Sequence, residues 1–302
     1  MDGPSRFATA GAFRQSLEER LKQFAKNQGT DLSRLRRRVA FERLLARLFM
    51  EKHPRWLLKG GYAIELRLQE VARATKDIDL CMHDTPGQVL QRQNPQQMLR
   101  ELLQDDLARK LDDWFTFRLS AATADLRAAP LGGARFPVNA QLDNRLFARF
   151  NLDVGLGDAA TSEPEWITGH ELLSFAGIPP ARIAMVPLDQ QFAEKIHAYT
   201  FPRKSSRVRD LIDLVLLIEN GLPEPAQIIQ ALKNTFARRN TYPLPTKLMP
   251  PPEEWRDPYE AVADECHVDA TTLETAYERL TAYWNQLDLS AGKRKDQLPK
   301  KS

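Results

Sequence analysis

Apolar residues recur at helical spacing over residues 11–27, "GAFRQSLEERLKQFAKN", where Phe13, Leu17, Leu21 and Phe24 form one stripe. Gly29 can end that helix, and Asp31 or Ser33 can cap a second that runs to about Met50. Pro54 breaks the pattern. "RWLL" then reads as a short extended run and 61–71 as a helix. The middle third changes character. "DIDLCMH", "WFTFRLSAATADL", "RFPVNAQL" and "RLFARFNLDVGLG" alternate or are rich in β-formers, which predicts strands of one sheet, with a helix near 95–111 between the first two. From about 164 the pattern predicts helices again, over 189–200, 204–219, 224–238, 257–266 and 270–286. Pro179-Pro180 and "PLPTKLMPPPEEW" punctuate them as loops.

The pattern implies an α+β fold: a mixed β-sheet core, mainly antiparallel, with N-terminal helices and a C-terminal α-helical domain. The expected divisions are a helical layer over 1–55, a sheet core over 56–186, a helical domain over 187–290 and a basic, disordered tail over 291–302. The chain's 302 residues, 42% of them hydrophobic, can bury a sizeable core. No apolar run reaches the ~18 residues of a membrane span, so no membrane partner is expected. The two cysteines, Cys81 and Cys266, lie far apart, so neither metal spacing nor a disulfide framework is implied. A cytoplasmic, reducing location is the expectation.

Charge changes the picture locally. The net charge is only +3, yet residues 1–50 carry eleven Lys/Arg against five Asp/Glu. Residues 195–209 carry five (Lys195, Arg203, Lys204, Arg207 and Arg209) against none, and the last twelve residues carry five against one. Such patches suit either solvated helix faces or a polyanionic partner.

The candidate chemistry lies in "KGGYAIELRLQEVARATKDIDLCM". On a strand, residues i and i+2 share a face, so Asp77 and Asp79 project together while Ile78 and Leu80 point into the core. Two carboxylates that close repel unless a cation joins them, and Mg²⁺ prefers one or two carboxylates with waters and substrate phosphates. Asp153, in "RFNLDVGLGD", can join them from a neighbouring strand. Gly60-Gly61 sits between a strand and a helix, where backbone N–H groups can cradle phosphates, or the pair can simply make a tight turn. The five histidines form no ligand cluster.

Together, "KGGYAIELRL…RATKDIDL", "FNLDVGLGD", "QFAEKIHAY" and "RVRDLIDLVLL" resemble the AbiEii/AbiGii toxin family of nucleotidyltransferases, which includes the MenT toxins of toxin–antitoxin systems and belongs to the DNA-polymerase-β-like superfamily. The resemblance covers roughly residues 40–220. It implies the nucleotidyltransferase fold, with Asp77, Asp79 and Asp153 as metal ligands and catalytic acids. Gly60, Gly61 and Lys195 are implied to hold the triphosphate, and Asp210 or Asp213 to be the last functional acid, with Asp210 preferred. Tyr62 departs from the pattern, standing where the family has Ser or Thr.

The activity implied is Mg²⁺-dependent transfer of NMP, a pyrimidine nucleotide by expectation, from NTP to the 3′ end of tRNA, which blocks aminoacylation and translation. Basic surface on the N-terminal helices and 203–209 would hold the tRNA. The implied partner is an AbiEi-like antitoxin. An NTP-binding regulatory module, or NMP transfer to a protein, is the alternative.

Overall fold

The computed structural model describes residues 6–83, 94–126, 129–157, 163–202, 206–266 and 268–289. Arg203, Lys204, His267 and the expected tail lie outside them. The chain divides into two compact units. One comprises residues 1–67 and 74–186, the other residues 68–73 and 187–302.

The first unit opens with two helices. Helix α1 (Ala10–Gln28) is capped by the Thr9 side chain and stopped by Gly29, whose φ of 63° only glycine adopts without strain. Asp31, not Ser33, caps α2 (Leu32–Leu48) by accepting the Arg34 N–H. Phe13, Leu17 and Leu21 are buried as their spacing requires, but Phe24, the fourth residue of the stripe, is half exposed because the buried face ends a turn earlier.

The strands are β1 (Trp56–Lys59), β2 (Asp77–Met82), β3 (Phe115–Leu119), β4 (Ala124–Asp125), β5 (Gly133–Leu142), β6 (Arg145–Gly155), β7 (Glu165–Thr168) and β8 (Arg182–Met185). Helix α3 (Gly60–Leu68) follows β1, and α4 (Pro95–Leu107) precedes β3. The sheet order is β3-β5-β6-β2-β1-β8-β7, with β4 on β5. Pairing is antiparallel except for β2 with β6 and β1 with β8. The sheet is therefore mixed and mainly antiparallel. The sequence pattern missed β7 and β8, predicting helix from 164 onward; "EWIT" and "RIAM" are too short to show alternation and are held by pairing with each other.

One face of the sheet forms the core. Ile78, Leu80, Phe136, Val138, Leu152 and Val154 are buried there with the apolar stripes of α1, α2 and α4. Much of the positive charge of the N-terminal helices is consumed internally. Arg43 and Arg47 clamp the fully buried Asp113 at 2.6 and 2.7 Å, Arg36 pairs with Glu18, and Arg38 with Glu65. Those four arginines stitch layers together, while Arg20, Lys22 and Lys26 on α1 remain exposed.

The second unit is helical: α5 (Leu188–Tyr199), α6 (Val208–Glu219), α7 (Pro225–Arg239), α8 (Arg256–Cys266) and α9 (Leu273–Gln286). The apolar face of α6, from Leu211 to Leu217, is buried throughout. Thr272 and Thr275 form a reciprocal capping box that starts α9. No described helix is long and apolar enough to cross a membrane.

Candidate active site

The polar face of the sheet carries the acids, and strand register decides which of them meet. Asp79 pairs across the parallel β2–β6 ladder with Asp153, and Asp77 with Asn151. On the other side of β2, Asp79 is opposite Lys59. On the other side of β6, Asp153 is opposite Arg135. Paired residues project from the same face, so one row across four strands reads Arg135–Asp153–Asp79–Lys59. The three sequence-predicted acids are thus neighbours, and two cations flank the row.

Contacts refine the row. Arg135 grips Asp153 in a bidentate fork, Nε to Oδ1 and Nη2 to Oδ2, both 2.7 Å. That bond, with the charges of Asp77 and Asp79, holds the guanidinium's pKa above its ordinary value despite partial burial. The Asn151 amide donates to Asp77 Oδ1 at 3.0 Å and fixes its rotamer. Neither Arg135 nor Asn151 was predicted. Their alternation within "RFPVN" and "RFNLD" places them on the polar faces of their strands, but only register puts them beside the acids.

Gly60 has the clearest reason to be glycine. Its φ is +68°, and a Cβ there would lie 2.1 Å from Asp79 Oδ2 and 2.7 Å from Asp79 Cβ. The start of α3 can approach the carboxylate only without a side chain. Gly61 follows it, buried in the first turn of the same helix.

Tyr62 turns away. Its ring is fully buried, edge-on to Phe41 at 4.9 Å, and its hydroxyl donates to Glu42 Oε1 at 3.3 Å. It is a core residue tying α3 to α2, not a substitute for a phosphate-binding hydroxyl. Glu42 also accepts the His170 N–H at 3.0 Å, while its Oε2 is buried without a partner. Burial pushes this carboxyl up to about 7, against the lowering effect of those bonds and of Arg43 and Arg38. Nearby, Glu65 accepts from Arg38 and from the Thr75 N–H at 3.0 Å, tying α3 to the turn before β2.

Lys195, Asp210 and Asp213 meet in the second unit. Lys195 on α5 is not an exposed helix lysine. Its ammonium lies 2.9 Å from Asp210 and 2.7 Å from Asp213, both on α6. Burial would lower its pKa, but the two carboxylates outweigh burial and raise it. Asp213 is fully buried and receives a bidentate bond from Arg73 at 2.8 Å for each nitrogen. Burial would raise its pKa, but Lys195 and Arg73 hold it below the usual carboxylate value. Asp210 reaches Lys195 and, at 3.4 Å, Arg207. Either aspartate can therefore orient the lysine, and Arg73 is a partner the sequence did not reveal.

Among the described residues no group of three His, Cys, Asp or Glu side chains is arranged to hold a metal ion. The physical reason is visible: both Asp153 oxygens face Arg135. Asp77 and Asp79 still suit a hard divalent cation completed by substrate phosphates, with the bare backbone of Gly60 packed against the Asp79 carboxylate.

Comparison with known proteins fits this geometry. No curated protein matches the sequence significantly. Among solved structures the chain is similar to MenT4, a nucleotidyltransferase toxin from Mycobacterium tuberculosis H37Rv. The TM-score is 0.63 and the identity 17%, over 91% of this chain and 92% of that one. It is also similar to a putative nucleotidyltransferase from H. pylori, with a TM-score of 0.43 and 15% identity over 88% of this chain and 99% of that one. The MenT4 likeness shows the nucleotidyltransferase fold. The family model described as nucleotidyl transferase AbiEii toxin, type IV toxin–antitoxin system, matches residues 43–285, spanning both units and Asp77, Asp79, Asp153, Asp210 and Asp213. An aspartate pair opening a strand, a third aspartate beside it in register and a glycine turn against it thus have a common origin: the chain belongs to the AbiEii family of nucleotidyltransferase toxins.

Proposed function

We propose that this toxin transfers NMP from an NTP, preferably a pyrimidine nucleotide, to the 3′ end of tRNA, so that the tRNA can no longer be aminoacylated and translation stops. The observation that carries this reading is the register placing Asp79 beside Asp153 with Gly60 packed on Asp79. The terminal hydroxyl oxygen bonds to the α-phosphorus, the α–β phosphoanhydride bond breaks, and pyrophosphate leaves with its electron pair. Asp77 and Asp79 would hold Mg²⁺, with Asp153 as a third acid. The bound ion would supply positive charge that favours ionisation of the attacking hydroxyl and offsets the charge of the triphosphate. Asp153 would accept the hydroxyl proton, and it can do so because each oxygen keeps a lone pair beyond its bond to Arg135. Gly60 and Gly61 admit the triphosphate at the start of α3. The role of Lys195 toward the triphosphate, with Asp210 and Asp213 orienting it, rests on the family resemblance. The same resemblance supports an AbiEi-like antitoxin as partner, and the two free, widely spaced cysteines suit the cytoplasm as location.

A second reading has one observation in its favour. The hold of Arg135 on Asp153 suits a chain that binds NTP without transferring it. Incubation with total tRNA, Mg²⁺ and each α-labelled NTP, beside Asp79→Ala, separates the readings. Labelled tRNA from the wild type alone is the expected result. NTP binding with no labelled RNA supports the second reading, and label on protein would move the acceptor to a protein hydroxyl.

A further inference from the structure

The polar face of the sheet continues beyond the acids, and its charge changes sign. Along β6 the residues on this face run Asp153, Asn151, Arg149. Arg149 pairs in register with Asn139 of β5, and Asn139 with Arg118 of β3. A second row, Arg118–Asn139–Arg149, therefore lies parallel to the row of acids. It is four residues away along β6, roughly 13 Å at about 3.3 Å per residue. Both arginines are exposed. Arg149 Nε donates to Asn139 Oδ1 at 3.1 Å, which holds its guanidinium across the strands. Arg118 has no ion-pair partner among the described residues. No acid occupies this face on β3, β5 or β6 except Asp153. The core helices cover the opposite face.

We propose that this face of β3-β5-β6 is the track for the RNA acceptor strand, with backbone phosphates on Arg149 and Arg118 and the 3′ end at the acids. The proposal rests on tRNA being the acceptor and specifies where the protein grips it. An RNA strand is the occupant the charge favours. The end that must react has to approach carboxylates, which the phosphates behind it avoid, and the cations begin one short step back. Two guanidiniums on rigid strands position a backbone without reading bases, as suits an enzyme that modifies an end rather than a sequence.

The test is tRNA binding by fluorescence anisotropy across a salt series, for the wild type, the Arg118→Gln/Arg149→Gln double variant and Lys22→Gln/Lys26→Gln. The last removes the same charge from exposed positions on α1. The arginine double should bind about tenfold or more weakly. Its slope of log K against log salt should be shallower by about 1.4–1.8, two phosphate contacts' worth, with NTP affinity and thermal midpoint unchanged. The lysine double should stay near the wild type. Equal losses in the two doubles, or unchanged tRNA binding in the arginine double, overturn the proposal, the second result leaving the face to a protein partner. Wild-type protein that binds NTP but not tRNA instead overturns the acceptor reading on which the proposal rests.

Discussion

Glu42→Gln isolates one buried carboxyl and its dependence on pH. Glu42, on α2, is wedged against the Tyr62 hydroxyl and the Gly169–His170 segment, where a Cβ on Gly169 would lie 2.1 Å from Oε2. With Oε2 buried and unpartnered, the protonated form suits the site, and burial lifts the pKa from 4.5 to about 7. A folded-state pKa above the unfolded one means that the folded chain binds the proton more tightly. The resulting stability is fully present below the unfolded pKa and is lost as pH rises through about 7. At ~1.4 kcal/mol per unit, the shift corresponds to about 3 kcal/mol. Glutamine keeps the shape and an acceptor for Tyr62 and His170 without the charge. Urea unfolding followed by tryptophan fluorescence, at intervals from pH 4.5 to 8, measures the difference between the two proteins. The wild type should lose about 3 kcal/mol relative to Glu42→Gln across that range and level off above pH 7 to 8. Other groups, His170 among them, contribute alike to both proteins and cancel. Parallel stability profiles would refute the reasoning, because Glu42 would then titrate alike in folded and unfolded chains.

Gly60→Ala should fold, with a loss of roughly 1–2 kcal/mol for the left-handed backbone, and should lose nucleotidyl transfer because the new Cβ displaces the Asp79 carboxylate. Retained Mn²⁺ binding together with retained transfer would show that Asp79 does not need a bare backbone at residue 60. Tyr62→Phe should cost about 1 kcal/mol through the lost bond to Glu42 while leaving NTP affinity, measured calorimetrically, unchanged. A marked fall in NTP affinity would return the hydroxyl to the phosphate site.

The outline of the fold was legible where segments are long and strongly patterned. Helices α1 and α2, the four strands carrying β2, β3, β5 and β6, and the C-terminal helices announce themselves by period. The two four-residue strands β7 and β8 do not, since four residues cannot separate a period of two from one of 3.6 and only pairing holds them extended. The acids at 77, 79 and 153 were legible because a charge inside an apolar strand is costly without a purpose. Arg135, Asn151 and Lys59 were not, because each is an ordinary polar residue until register sets it beside an aspartate. Two readings of charge changed for a related reason. Helical spacing shows that Lys195 and the N-terminal arginines lie on helices, but not that Asp213 and Asp113 wait for them inside the protein. Tyr62 stood out as a departure from a family motif; its spacing from Phe41 and Glu42, on a different helix, is information the linear chain does not contain.

The six residues 68–73 belong to the helical unit although the chain makes them before most of the sheet. Arg73 waits for Asp213, 140 residues downstream. At about 5–20 residues per second, a ribosome needs roughly 7–30 seconds to supply that partner. During that interval the turn between α3 and β2 leads directly into the aspartate strand with one end unanchored. The helical unit is thus a late clasp on an early segment: a nascent or prematurely released chain lacks it, and a gene divided after codon 186 would leave Arg73 on one fragment and its carboxylate on the other.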